Sequence, residues 1–322
     1  MRILVCLAVA WAMVMGCEQA PAGAGQEGSA WTFTQSDGKG VLPNDPSAPL
    51  DLGTCAGFPP TLPASAQGTI RSVDTGGEKA VALTFDMCEL AVSTTGCDME
   101  ILSFLRQKGV PATLFMGGKW MRTHAGRVTQ IMREPLFEIG SHAWTHGNFG
   151  IMTEQAMREQ IEGAQAQYAE LRERALREAA DQGSPPPRIP SCTGLFRLPY
   201  GRCCDRALEI LAEYGLRVIQ WDVPAEAGKD NASPSVARAA ARMVRPGSIV
   251  LMHANLVPRG TAALVRNFVA ELESQGYRFV KVSELLDMGD PLLIRDGYFS
   301  RPGDNLSLDT RFGFDGTGRK KP

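Results

Sequence analysis

The chain has 322 residues, with 33 Lys and Arg against 35 Asp and Glu, a formal net charge of −2 and 44% hydrophobic residues. Such balance argues against nucleic acid as the main partner, because a phosphate backbone calls for a basic excess or a basic face. The length admits one large domain with tails or two small ones, and either can bury a sizeable core.

Met1-Arg2 precede an apolar run, Ile3 to Met15. That run is too short to span a bilayer comfortably, and it fits a signal-peptide core behind a minimal positive start. Val14-Met15-Gly16-Cys17 resembles a bacterial lipobox, in which Cys17 is lipidated and the protein is held at the periplasmic face of the envelope. Ordinary cleavage near the Ala-rich stretch Ala20 to Ala24 is the alternative. Residues 1–17 are therefore read as signal peptide and lipobox. Residues 18–71, rich in Gly, Pro, Ala, Ser and Asp, are read as a tether and irregular lead-in. Export also sets the reading of the eight cysteines. Without Cys6 and Cys17, six remain in a disulfide-permissive compartment: Cys55, Cys88, Cys97, Cys192, Cys203 and Cys204. Sequence does not choose among their pairings.

From Ala80 onward, apolar runs alternate with helical patterns. Strands are expected at Ala80 to Phe85, Ala112 to Met116, Phe137 to Ser141, Leu195 to Arg197, Arg217 to Trp221, Ser248 to Met252 and Arg278 to Val280. Helices are expected at Asp98 to Gln107, Thr153 to Ala180, Asp205 to Tyr214, Ser235 to Val244 and Ala262 to Gln275. Ser233-Pro234 reads as cap and first turn of the fourth. About seven strands alternating with helices imply an α/β fold with a parallel sheet. Residues 72–288 form the expected domain, and 289–322 read as a peripheral tail.

Chemically capable residues follow the strand ends, on the side where β/α barrels build their sites. They are Asp86, His142, Pro199-Tyr200, Asp222 and His253. Only four histidines exist, and His142 and His146 stand four apart, a spacing that can present both imidazoles to one metal. Taken singly, each residue has a bland reading. Asp86 is a cap or turn former, Arg197 a surface residue, His253 a satisfied histidine, and His124 a surface residue. Their order and joint placement point to a site.

In that order the sequence resembles the polysaccharide deacetylase family, also called the NodB-homology domain or carbohydrate esterase family 4. The matching motifs are Thr84-Phe85-Asp86, Ser141 to His146, Arg197-Leu198-Pro199-Tyr200, Trp221-Asp222 and Leu251-Met252-His253. The resemblance covers about Lys79 to Leu286. It implies an α/β fold built as a distorted (β/α) barrel of about seven parallel strands, a divalent metal, zinc first with cobalt or nickel as alternatives, and hydrolysis of an N-acetyl group. It also implies roles: His142 and His146 as metal ligands, Asp86 as general base and His253 as general acid. The Tyr200 peptide N–H would hold the oxyanion. Arg197 would orient the base, and Asp222 would tune Arg197 or His253. Trp144, Pro199, Tyr200 and Leu251 would meet the sugar, with Trp120, Phe149 and Trp221 as further stacking candidates.

The first motif departs from the family. A second Asp, the third metal ligand, is expected where Met87 stands, and a thioether ligates a borderline cation poorly. Three repairs are open: Glu89 swings in, Asp86 itself binds the metal, or two histidines and waters suffice. Cys88 would suit zinc as a thiolate, but export favours its pairing, with Cys97 as a candidate. The expected function is removal of N-acetyl groups from N-acetylhexosamine residues of an envelope or extracellular polysaccharide. Two alternatives are a catalytically degenerate glycan-binding barrel and an O-acetyl ester hydrolase.

Overall fold

The computed structural model describes residues 31, 35, 42–50 and 57–321. The leader, Cys17 and Cys55 lie outside the described residues, so the expected anchor and any pairing of Cys55 are not on view. Among the described residues no helix is long and apolar enough to cross a membrane.

The chain enters the sheet with β1 (Thr69–Asp74) and β2 (Ala80–Met87), followed by helix α1 (Met99–Lys108) and β3 (Ala112–Met116). Helices α2 (Gly118–Thr123) and α3 (Ala125–Met132) lead to β4 (Phe137–Ser141). Then come α4 (Glu154–Asp181), β5 (Leu195–Phe196), α5 (Asp205–Glu213), β6 (Arg217–Ile219) and β7 (Val223–Pro224). The last part runs through α6 (Pro234–Ala241), β8 (Ser248–His253), α7 (Thr261–Ser274), β9 (Arg278–Val280), α8 (Val282–Leu286), β10 (Asp290–Ile294) and α9 (Leu308–Arg311).

Strands β1, β6, β5, β4, β3, β2 and β8 pair in that order, and a Ser72–Ser248 bridge from β1 to β8 closes the ring. The ring has seven strands: six are among those expected from the sequence, β1 takes the seventh place, and the expected strand β9 lies off the ring against β2. All pairings in the ring are parallel except that closing one, which is antiparallel. β7 and β9 extend β8 and β2, and β10 lies antiparallel on β1.

Local sequence explains the boundaries. Asp98 caps α1 by accepting from the amides of Glu100 and Ile101, and Gly109 ends the helix with φ +69°. Thr153 caps α4 through the amide of Ala156. All eight residues of β2 are buried, as befits a parallel strand covered on both faces. Its side chains alternate. Val81, Leu83, Phe85 and Met87 join the core with the helices, whereas Ala80 and Ala82 join the inner core with Phe115, Ile219 and Leu251. β8 alternates likewise, with Val250 and Met252 outside and Ile249 and Leu251 inside. Two-residue periodicity therefore delivers Thr84 and Asp86 of β2, and His253 of β8, to the inner face at the carboxyl ends.

Two segments differ from expectation. β1 begins at Thr69, inside the stretch read as an irregular lead-in, and its alternation is too brief to stand out among Gly, Pro and Ser. The segment read as a peripheral tail is built into the structure. Arg71, buried, donates to the carbonyls of Tyr298 (3.1 Å) and Phe299 (3.0 Å), and Arg202 forks onto Asp309 at 2.8 Å through both nitrogens. Such contacts leave no hydrophobic period in the sequence.

Candidate active site

Asp86 ends β2 and His253 ends β8, and the two are direct register partners. Asp86 Oδ1 accepts from Arg197 Nη1 at 2.9 Å, while its Oδ2 lies 3.5 Å from His142 Nε2. Arg197 is fully buried, and each of its three side-chain nitrogens donates. It donates to Thr84 Oγ1 (2.7 Å) and to the carbonyls of Ile219 (3.1 Å) and Gln220 (3.1 Å). Its guanidinium also lies 4.1 Å from the centroid of the Phe115 ring. Burial alone would raise the Asp86 pKa, but Arg197, then His142 and His253, more than offset this, and the carboxyl is held below its usual value.

His142 follows β4 directly. Its Nδ1 lies 2.8 Å from the Arg197 carbonyl, so Nδ1 carries the proton and Nε2 presents its lone pair. That Nε2 is buried and makes no hydrogen bond. The His146 ring stands edge-on to it at 4.9 Å, in a left-handed turn with φ +59° at His146 and +63° at Ala143. Gln160 of α4 braces this turn: its Oε1 accepts from the amides of Trp144 (3.1 Å) and Thr145 (2.9 Å). Burial lowers the pKa of both imidazoles, well below the usual value for His146, so both are neutral and fit to ligate a cation. A buried lone pair without a partner, beside a second neutral imidazole and a carboxylate, fits a divalent metal.

Cys88 completes this cluster. Its Sγ and the donor nitrogens of His142 and His146 all lie within 4.8 Å of one another. Burial pushes the thiol pKa well up, and the nearby carboxylates Asp86 and Glu89 add to this. The pairing with Cys97 is not observed. No disulfide occurs among the described residues, and the Cys97 thiol packs 3.7 Å from Met99 Sδ in the core.

Glu89 does not swing in as a ligand. Its Oε2 accepts from Lys119 Nζ (2.9 Å) and Thr123 Oγ1 (2.8 Å), and Oε1 accepts from the Thr95 amide (3.0 Å). Both partners of the Lys119–Glu89 pair are buried, and the charge of the lysine needs this carboxylate. His124 lies in the same cluster, 3.8 Å from Glu89 and tilted on Trp120, so it is buried rather than on the surface.

The carboxylate at His253 is not Asp222. Asp222 accepts from Ser248 Oγ (2.8 Å) and the Ile249 amide (2.9 Å). Glu226, which sequence reasoning passed over, accepts from His253 Nδ1 at 2.5 Å, the His253 amide at 3.2 Å and Thr261 Oγ1 at 2.5 Å. Its signal was a carboxylate four residues beyond Asp222, where the chain leaves β7. Burial disfavours the His253 imidazolium, yet Glu226 and then Asp86 outweigh that, and its pKa is raised.

Trp144 is buried, with Arg122 at 4.6 Å over its ring, and Trp120, Phe149 and Trp221 are buried too, so these rings serve packing and do not stack on a sugar. Pro199 and Leu251 are buried near the strand ends. Tyr200 keeps an exposed edge, with φ +61°, its ring stacked on Phe312 of the C-terminal segment at 5.1 Å, and its hydroxyl donating to the Gly316 carbonyl. The C-terminal segment thus walls the site beside His146, whose ring meets Tyr200 edge-on at 4.3 Å.

A family model described as polysaccharide deacetylase matches residues 74–219. The peptidoglycan-N-acetylglucosamine deacetylase of Listeria monocytogenes is 31% identical over 232 residues, which are 71% of this chain and 43% of that protein. This chain therefore spans less than half the length of that relative. A peptidoglycan-N-acetylglucosamine deacetylase of Bacillus cereus is 29% identical over 213 residues, 65% of this chain and 89% of its own. Among solved structures, a CE4 family pseudoenzyme from Bacillus anthracis superposes with a TM-score of 0.55 at 23% identity, covering 69% of this chain and 70% of that one. That likeness bears on the fold alone. The family model lies over β2 to β6, and the Listeria relative is 31% identical over 71% of this chain, so the barrel is similar to the polysaccharide deacetylase family.

Proposed function

We propose that the protein is a metal-dependent N-deacetylase acting on N-acetylhexosamine residues of an envelope or extracellular polysaccharide. One observation carries the reading. The Asp86 carboxylate and the His253 imidazole stand side by side on hydrogen-bonded strands, each bound to a partner of opposite charge character, Arg197 and Glu226, beside the paired imidazoles of His142 and His146.

His142 and His146 would hold a divalent metal, which when bound polarises the acetyl carbonyl and acidifies the attacking water. Asp86, kept ionised by Arg197, takes the proton from that water as it attacks the acetyl carbon. The Tyr200 peptide N–H, turned by its positive φ, is the donor assigned to the developing oxyanion. His253, kept protonated by Glu226, gives its proton to the departing nitrogen, so the products are acetate and a free amine. Glu226 acts through His253 as a positioning residue. Relatives named for peptidoglycan and chitooligosaccharide substrates support the substrate class. The apolar leader supports export, and Val14 to Cys17 support a lipid tether at Cys17. Intact mass of the membrane-extracted protein tests that tether.

The test of function is acetate release from N-acetylglucosamine oligomers, with and without chelator. Chelator-sensitive release is expected. Release from O-acetyl but not N-acetyl sugars would convert the reading to an ester hydrolase. No release from any acetylated glycan by metal-loaded protein would leave a glycan-binding barrel.

A further inference from the structure

We infer that Cys88 is the third protein ligand of the metal, making the site a Cys–His–His centre that selects a thiophilic ion such as zinc. This rests on the proposed metal-dependent reading and names the donor that the first motif lacks.

The strand register places it there. Met87, the sequence position of the expected ligand, faces outward and is buried in the helix-side core with Leu83 and Phe85. Thr84 and Asp86 face inward, both hydrogen-bonded to Arg197. Two-residue alternation brings the next inward position to Cys88. Its backbone is fixed on both sides. The Gly117 amide donates to the Met87 carbonyl (2.9 Å), and the Cys88 carbonyl accepts from Thr95 Oγ1 (2.8 Å) and Asn255 Nδ2 (3.2 Å).

The donor set is coherent. The Sγ joins the two imidazole donors within 4.8 Å, while a tetrahedral zinc site with these bond lengths spaces its donors by on the order of 3.5 Å. A modest convergence on binding closes that difference. Glu89 is engaged in the Lys119 pair, and Asp86 is held through Oδ1 by Arg197 Nη1, with Oδ2, 3.5 Å from His142 Nε2, left for the proposed base role. Binding replaces the thiol proton by the metal and releases that proton to solvent. A thiolate favours zinc or cobalt over magnesium or manganese, which prefer all-oxygen donors.

The test uses the whole exported protein, stripped by chelator and reloaded with cobalt or zinc. Expected are one cobalt per chain with a thiolate-to-cobalt charge-transfer band in the near ultraviolet, and one sulfur scatterer in the zinc X-ray absorption spectrum. Cys88→Ser should lose the band and weaken zinc by more than about 100-fold, beyond what loss of an outer-shell partner costs. Cys88→Asp should bind metal without the band, and its circular dichroism shows whether it is folded. A bound metal without a sulfur signal, or an unchanged spectrum in Cys88→Ser, overturns the assignment, as does failure of the wild type to bind either ion. Acetate release is read separately. A sulfur-ligated metal without acetate release refutes the deacetylase reading and keeps this ligand, while release without a sulfur signal does the reverse.

Discussion

Arg197 reaches Asp86 across the interior of the barrel, Nη1 to Oδ1 at 2.9 Å, with the guanidinium wholly buried. The pair joins the end of β2 to the residue just after β5, strands that are not neighbours in the ring. Asp86→Asn keeps the shape and an oxygen for Arg197, but removes the proposed base. Acetate release should fall by about 10²–10⁴-fold, the usual worth of a general base. Thermal unfolding should stay cooperative, because Arg197 retains Thr84 and two carbonyls. Steady-state acetate assays check this, and activity near wild type would remove Asp86 from the mechanism.

Glu226 raises the pKa of His253, so the imidazolium proposed as the acid is favoured to higher pH than in an ordinary histidine. Activity should fall on the alkaline side as His253 loses its proton. Glu226→Gln removes the charge that favours the imidazolium, so the alkaline limb of kcat/KM should move to lower pH. A pH profile of both proteins decides it. An unmoved limb would mean that some other group sets it.

The Lys119–Glu89 pair is buried on both sides. Lys119→Met leaves a buried carboxylate without its cation, with Thr95 and Thr123 as remaining donors. Destabilisation of about 3–5 kcal/mol is expected. Urea unfolding near neutral pH measures it, and a change below 1 kcal/mol would show that Glu89 takes up a proton or finds water.

Gly118 lets α2 pass against α4 and the histidine turn. A Cβ there would lie 2.4 Å from Trp144 Cε3 and 2.8 Å from the Ala164 Cα. Gly118→Ala should cost about 1–3 kcal/mol through forced displacement. Calorimetry should record a Tm lower by roughly 2–10 °C. An unchanged Tm would show that the Trp144 ring yields freely.

Much of this was legible in the chain itself. The strands at 112–116, 137–141 and 278–280 stand where the apolar runs placed them, since buried parallel strands need continuous hydrophobic stretches. Asp98 and Thr153, where the sequence places two helix starts, cap α1 and α4 through their side chains, and Pro234 opens α6 behind Ser233. Asp86, His142, His146, Arg197 and His253 followed strand ends in order, and the barrel brings them together.

Partner choice was decided only by the tertiary structure. Sequence offered Asp222 for His253, yet Asp222 is held by Ser248 and Ile249 and the chain must run on to Glu226 to reach the imidazole. It offered Glu89 as a ligand, whereas a buried lysine 30 positions away claims that carboxylate. It offered Trp144 for sugar, whereas packing against α2 and α4 buries that ring. Hydrophobic periodicity fixes which face a residue takes. Which of several carboxylates or rings meets a given partner depends on distances between segments far apart in the chain, and those exist only once the barrel has closed.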